Sequence, residues 1–183
     1  MRSLLKPALA ACVAVLAACG GDDGASSSAQ PPDRPAVPPP GWRTVTNPKA
    51  AFSVAAPRRW RVSQRARATL IRSPDRTVAV TVVADRSPAG RQTDAGGYAR
   101  QTIAELPGFE GSVGAKTMPV RGSPYPAAQV QGRGKVPRSR RPQRITVAAF
   151  HRPKRVTYVV IAFRQLEAPV ATVARMLATV RGG

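Results

Sequence analysis

Two apolar runs decide how this chain folds: RITVAAF at 144–150 and VTYVVIAF at 156–163, separated by His151-Arg-Pro-Lys-Arg155. Both are rich in β-branched and aromatic residues, which suit a pleated and partly buried surface. The five residues between them are polar and contain a proline, so the segment predicts a hairpin. The second run is apolar at successive positions instead of alternate ones. Such a strand has both faces covered, which places it at the centre of a sheet.

Outward from this hairpin the strand signals continue. Towards the N-terminus, 68–73 (ATLIRS) and 77–84 (TVAVTVVA) flank Pro74-Asp75-Arg76. Proline presets the φ needed at the second position of a type I turn, so a second hairpin is expected. Trp42–Thr46 alternates and Phe52–Ala56 is apolar up to Pro57, giving two earlier strands around Asn47-Pro-Lys49. Val113–Val120 and Ala127–Val130 carry weaker strand patterns. Tyr98, Thr102, Ile103 and Leu106 recur at helical spacing before Pro107-Gly108. Val170, Val173, Ala174, Leu177 and Val180 form a one-sided apolar helix after Pro169, closed by Arg181-Gly-Gly183. The expected order is four strands, a helix, four strands and a helix. Hairpin-linked strands with two packing helices imply an α+β fold built on an antiparallel sheet.

The chain has 183 residues and a formal net charge of +20, with a hydrophobic fraction of 43%. That fraction supports a packed core. Residues 41–183 are enough for one domain, of a size that buries roughly two-thirds of its unfolded surface. Residues 20–40 (GGDDGASSSAQPPDRPAVPPP) lack apolar periodicity and read as a linker, flexible at first and stiffer towards Pro38-Pro-Pro40. It reaches roughly 25 Å as a coil and about 65 Å as polyproline II.

Residues 1–18 read as a targeting segment. Arg2 and Lys6 precede the apolar stretch PALAACVAVLAA at 7–18. Twelve helical residues rise roughly 18 Å, short of a hydrocarbon core of about 30 Å, so this is a signal-peptide apolar region. It ends in Leu16-Ala-Ala-Cys19 and is followed by Gly20-Gly-Asp-Asp23, which resembles the lipobox of bacterial lipoproteins. The resemblance implies lipidation of the Cys19 thiol and cleavage just before it, leaving 19–40 as a lipidated stalk. Leu9-Ala-Ala-Cys12 spells the same four residues, but it has too little apolar sequence before it and too much after it. The expected location is therefore the extracytoplasmic face of a cell membrane.

A further resemblance rests on Phe52-Ser-Val-Ala-Ala-Pro57 and Trp60, which follow a short first strand. With the Tyr98 helix, the long closing hairpin and the C-terminal helix, this order is similar to PsbP-like domains. The resemblance covers nearly all of 41–183 and implies an antiparallel sheet sandwiched between helices. Such domains occur on actinobacterial surface lipoproteins with no assigned chemistry, and other members bind protein partners. No catalytic residues are defined for the group, so none transfer to this chain.

The residues themselves point to little chemistry. One histidine and two cysteines exclude a Cys/His zinc cluster. His151 lies in a turn beside Arg152 with no nucleophile in a recognisable motif. Gln131-Gly-Arg-Gly-Lys135 lacks the spacing of a phosphate loop. No two acids form a recognisable pair: Asp75 reads as a turn residue and Asp94 as a helix cap. The expectation is a non-enzyme with no metal site and no cofactor.

The anomaly is charge. Between Gly111 and Leu166 there is no acid. The densest part, 135–144 (KVPRSRRPQR), is read as a loop, and a basic turn follows at 152–155. Self-repulsion of this size favours an anionic partner. The candidate contacts are Lys135, Arg138, Arg140, Arg141, Arg144, Arg152, Lys154 and Arg155, joined in space if both segments open at the same sheet end. The expected partner is an anionic lipid, a wall polymer or an acidic protein, with nucleic acid ranked last because aromatics are 5% of the chain. The alternative expectation is a carrier for a small apolar or amphipathic ligand in a sheet–helix cleft, lined by Trp60, Tyr98 or Phe163. The sequence leaves the oligomeric state open.

Overall fold

The computed structural model describes residues 35–88, 90, 93–136, 141–152 and 156–182. Cys19, Arg138, Arg140, Lys154 and Arg155 lie outside the described residues.

The chain runs β1 (Trp42–Asn47), β2 (Phe52–Pro57), β3 (Arg61–Gln64), β4 (Ala68–Arg72), β5 (Val78–Asp85), α1 (Ala95–Ala104), β6 (Glu110–Val113), β7 (Met118–Pro119), β8 (Ala127–Lys135), β9 (Gln143–Arg152), β10 (Val156–Gln165), α2 (Val170–Ala178) and β11 (Arg181–Gly182). The main sheet has the order β3-β4-β5-β10-β9-β8-β6, with β7 also paired to β8. A second sheet has the order β1-β2-β11. All pairs are antiparallel. β10 is central, hydrogen-bonded to β9 and β5, as its unbroken apolar run implies.

The expected α+β architecture, a sheet sandwiched between helices, is corrected here. Among the described residues the fold is β-rich, 48% strand, with two small helices and two antiparallel sheets. Seven strands side by side span about 29 Å, whereas a helix is about 10–12 Å across, so two short helices cannot blanket this sheet. The strands β1 and β2 do not extend it. They leave as a separate hairpin, in which β2 also pairs with β11, and cover one face of the main sheet. Phe52, Val54 and Ala56 pack there against Ile71, Val80, Val82, Tyr158 and Val160. Tyr158 meets Phe52 edge-on, with centroids 6.0 Å apart, and its hydroxyl donates to the Ala51 carbonyl at 2.6 Å.

α2 belongs to the same layer. Val173, Met176, Leu177 and the following Val180 are buried, while Val170 is 52% exposed and does not pack as its spacing suggested. Thr179 fixes the helix end: its hydroxyl accepts from the Ala55 amide at 2.9 Å and donates to the Met176 carbonyl at 2.7 Å. Arg175 lies over the Trp42 ring at 5.6 Å. Pro169 is the residue before the helix and not its first turn. The tail, expected only to close the helix, forms β11.

On the other face, α1 packs over β8 and β9, with Ala99 and Ile103 against Val130, Ile145 and Val147. Asp94 caps this helix, accepting from the Gly96 and Gly97 amides at 2.9 Å. Gly132 and Gly134 are buried within β8. A Cβ at Gly134 would meet the Phe109 ring at 2.5 Å and the Glu110 carbonyl, so these glycines permit close approach of neighbouring chain.

Candidate functional site

Of the basic residues expected to form one patch, the described ones, Lys135, Arg141, Arg144 and Arg152, do not all lie at one place. β9 joins them: its first residues adjoin the connection from Lys135, and its last adjoin the connection to Val156. Ten extended residues separate the two ends by about 30 Å. Lys135, Arg141 and Arg144 are exposed at the first end. Arg152, at the second, is 8% exposed, and its guanidinium packs against Gly182 of β11. Arg152 is therefore part of the packing between the two sheets. His151 is a β9 residue whose ring Nδ1 lies 3.3 Å from the Thr157 hydroxyl.

The register creates a different basic group. Arg144 stands directly opposite Arg133 on β8 and opposite Arg164 on β10. Directly opposed residues share a face, so the three arginines form a row across the end of the sheet. This face also carries Thr146, Ala162, Gln131 and Gln129, and the small sheet leaves that part uncovered. α2 lies over it instead, and a groove runs between helix and sheet.

The groove has two adjoining compartments, of about 320 Å³ and about 80 Å³, sharing Gln129, Ala174 and Leu177. Its upper wall is apolar: Val170, Val173, Ala174 and Leu177. Met118, Pro119 and Val120 close the wider end beside Arg121. Gln129, Gln131 and Thr146 make a polar floor, and Arg144 and Arg164 end the narrow compartment. Arg164 is only 5% exposed. One of its Nη atoms donates to the Ala168 carbonyl. Burial first, and then the charge of Arg144, hold the Arg164 guanidinium below its usual pKa.

Two other clefts lie elsewhere on the surface. One, of about 390 Å³, lies beside Trp60 with Arg58, Arg59 and Pro57. The other, of about 400 Å³, lies between α1 and the uncovered part of the opposite face, lined by Tyr98, Asp85, Arg67, Val159 and Ile161. At its mouth the Tyr98 hydroxyl donates to the Asp85 carboxylate, which also accepts from the Ser87 amide and hydroxyl at 2.8 Å each. Burial pushes the Asp85 pKa up, but the hydrogen bonds from Tyr98 and Ser87 and the charge of Arg67 outweigh it, and the carboxyl sits below 3.8. Burial first, then the same hydrogen bond, raises Tyr98 well above 10.0. Of the aromatics expected to line a cleft, Trp60 and Tyr98 do so, each in a different place.

No family model matches the chain, and no curated protein matches it. The fold does have a solved counterpart. A crystal structure from Bacteroides thetaiotaomicron VPI-5482, at 1.50 Å resolution, matches 78% of this chain with a TM-score of 0.53 and 13% identity. The chain spans about half of that protein, 49% of its length. At that identity the likeness shows the fold alone.

Among the described residues no group of three or more His, Cys, Asp or Glu side chains gathers at one place. No helix among them is long and apolar enough to cross a membrane. The groove under α2 was not legible in the sequence as a place. Its residues come from five separate elements, and only the alternation of Gln129, Gln131 and Thr146 with apolar neighbours hinted at a half-polar face.

Proposed function

We propose that this chain is an envelope lipoprotein, anchored through Cys19 and held off the membrane by residues 20–40, whose folded part holds a small amphipathic molecule in the groove beneath α2. The reading assigns no chemical step to the site. One observation carries it: two of the exposed large apolar side chains, Val170 at 52% and Met118 at 36%, stand at opposite ends of one groove with an apolar wall and a polar floor. Exposed apolar surface gathered at a concavity marks a binding site more often than chance exposure does. The wider compartment falls within the roughly 300–1,000 Å³ of small-molecule pockets.

The test uses the full chain carrying Cys19→Ser, so that no lipid is attached. Calorimetric titration with single-chain amphiphiles below their micelle concentration should show saturable binding. Ala174 is exposed and lines both compartments. Ala174→Trp fills the groove from the solvent side and should abolish binding with the melting temperature retained. The anchor is tested separately: Cys19→Ser should release the protein from membranes, and Cys12→Ser should not.

A second reading has its own support. Arg58, Arg59, Arg61, Arg65, Arg67, Arg72 and Arg76 crowd the edge of the main sheet around β3, with Asp75 the one acid among them. Such an edge favours contact with an anionic membrane surface or polymer, each cation near it contributing roughly 1 kcal/mol. Vesicle binding that vanishes at high salt and is lost on Arg58→Gln with Arg59→Gln would support it.

A further inference from the structure

We infer that the groove selects a single-chain lipid with an anionic head group, a carboxylate or a phosphate, seated between Arg144 and Arg164. The inference rests on the reading of the groove as a ligand site and adds the chemistry of its closed end.

Like charges directly opposed across an antiparallel pair are destabilising, and this sheet places Arg144 against an arginine on both sides. The apolar pattern and the hairpin connection set the register without needing three arginines in a row, although Arg164 also donates to the Ala168 carbonyl. Arg164 is 5% exposed, and the charge acting on it is another guanidinium, that of Arg144. A buried cation without an opposite charge is costly, and an anion seated there removes the cost. The two guanidinium groups end a groove whose other wall is Val170, Val173 and Leu177. A molecule with a charged end and an apolar body fits both parts at once. Guanidinium groups present paired N–H donors that match the two oxygens of a carboxylate or phosphate, as a compact ammonium does not. The +20 chain charge steers such anions towards the protein but does not place them.

The experiment compares four probes by calorimetry on the full chain carrying Cys19→Ser: dodecanoate, dodecyl phosphate, neutral dodecanol and inorganic phosphate. Both anionic lipids should bind about tenfold or more tighter than dodecanol. Inorganic phosphate, lacking the apolar body, should bind far more weakly than dodecyl phosphate. Arg144→Gln should reduce affinity for the anionic lipids by about tenfold and leave dodecanol unchanged. Arg86→Gln removes the same charge just beyond the far end of β5 and should change neither. Equal binding of dodecanol and the anionic lipids would overturn the inference while leaving the groove as a ligand site. So would an equal loss with Arg86→Gln, which would reduce the preference to overall charge. If no amphiphile binds, the proposed function itself fails.

Discussion

Arg144 and Arg164 face each other across the β9–β10 pair, in register and on the same side of the sheet. Each is ten residues along the chain from Lys154, the midpoint of the sequence between them. Their opposition is a consequence of hairpin symmetry once the turn is placed. Arg133 extends the row on the next strand.

This opposition should cost stability when no anion is bound. Arg144→Gln removes one exposed cation from between two others, and should stabilise the ligand-free protein by about 0.5 kcal/mol at low salt. Thermal melts at two ionic strengths would measure it. The gain should shrink as salt rises, and a loss of stability would mean that Arg144 has a folding role.

The layer formed by α2 should behave as core on one side and as surface on the other. Leu177 is 1% exposed, so Leu177→Ala should cost about 2–5 kcal/mol. Val170 is 52% exposed, and Val170→Ser should stay within about 0.5 kcal/mol while weakening amphiphile binding. Chemical denaturation of the two variants, beside one binding titration, separates the roles.

The Tyr98–Asp85 bond ties α1 to β5, and its effect depends on pH at both ends of the scale. Asp85 is held below its ordinary 3.8, so its contribution is fully present above that value. It is lost as pH falls through the lower folded-state pKa. Tyr98 is raised above its ordinary 10.0, so its contribution is intact below pH 10 and falls as pH rises towards the higher folded-state value. Asp85→Asn should flatten the acid limb of the stability profile relative to the parent, and Tyr98→Phe the alkaline limb. Melting temperatures across the pH range would show both, and parallel profiles would show that the bond contributes nothing.

Much of the strand content was legible because its signals are local. The runs at 144–150 and 156–163 form the predicted hairpin, and Pro74-Asp75 forms the predicted turn. There Asp75 accepts from the Ser73 hydroxyl and the Thr77 amide. What the sequence could not show is where strands go. β1 and β2 carry ordinary strand patterns, and nothing local says that they leave the main sheet to cover it. β11 is two residues long and exists through its pairing with Ser53 and Phe52. β3 follows Trp60 with one apolar residue, Val62, too few for a period. The same limit applies to the site. Counting charges located the basic loop, but the pairing that sets Arg133, Arg144 and Arg164 in a row needs the register of three strands. It also separates Arg152 from the group by the length of β9.

The central claim is that the groove beneath α2 is where this protein holds its ligand. The most direct test is an NMR titration of the isotopically labelled full chain, carrying Cys19→Ser, with dodecyl phosphate below its micelle concentration. The account predicts amide shifts concentrated at Met118, Gln129, Gln131, Arg144, Arg164 and residues 170–177, absent in Ala174→Trp. Shifts confined to the Trp60 cleft or the Tyr98 cleft, or a titration that moves no amide along α2, would contradict it.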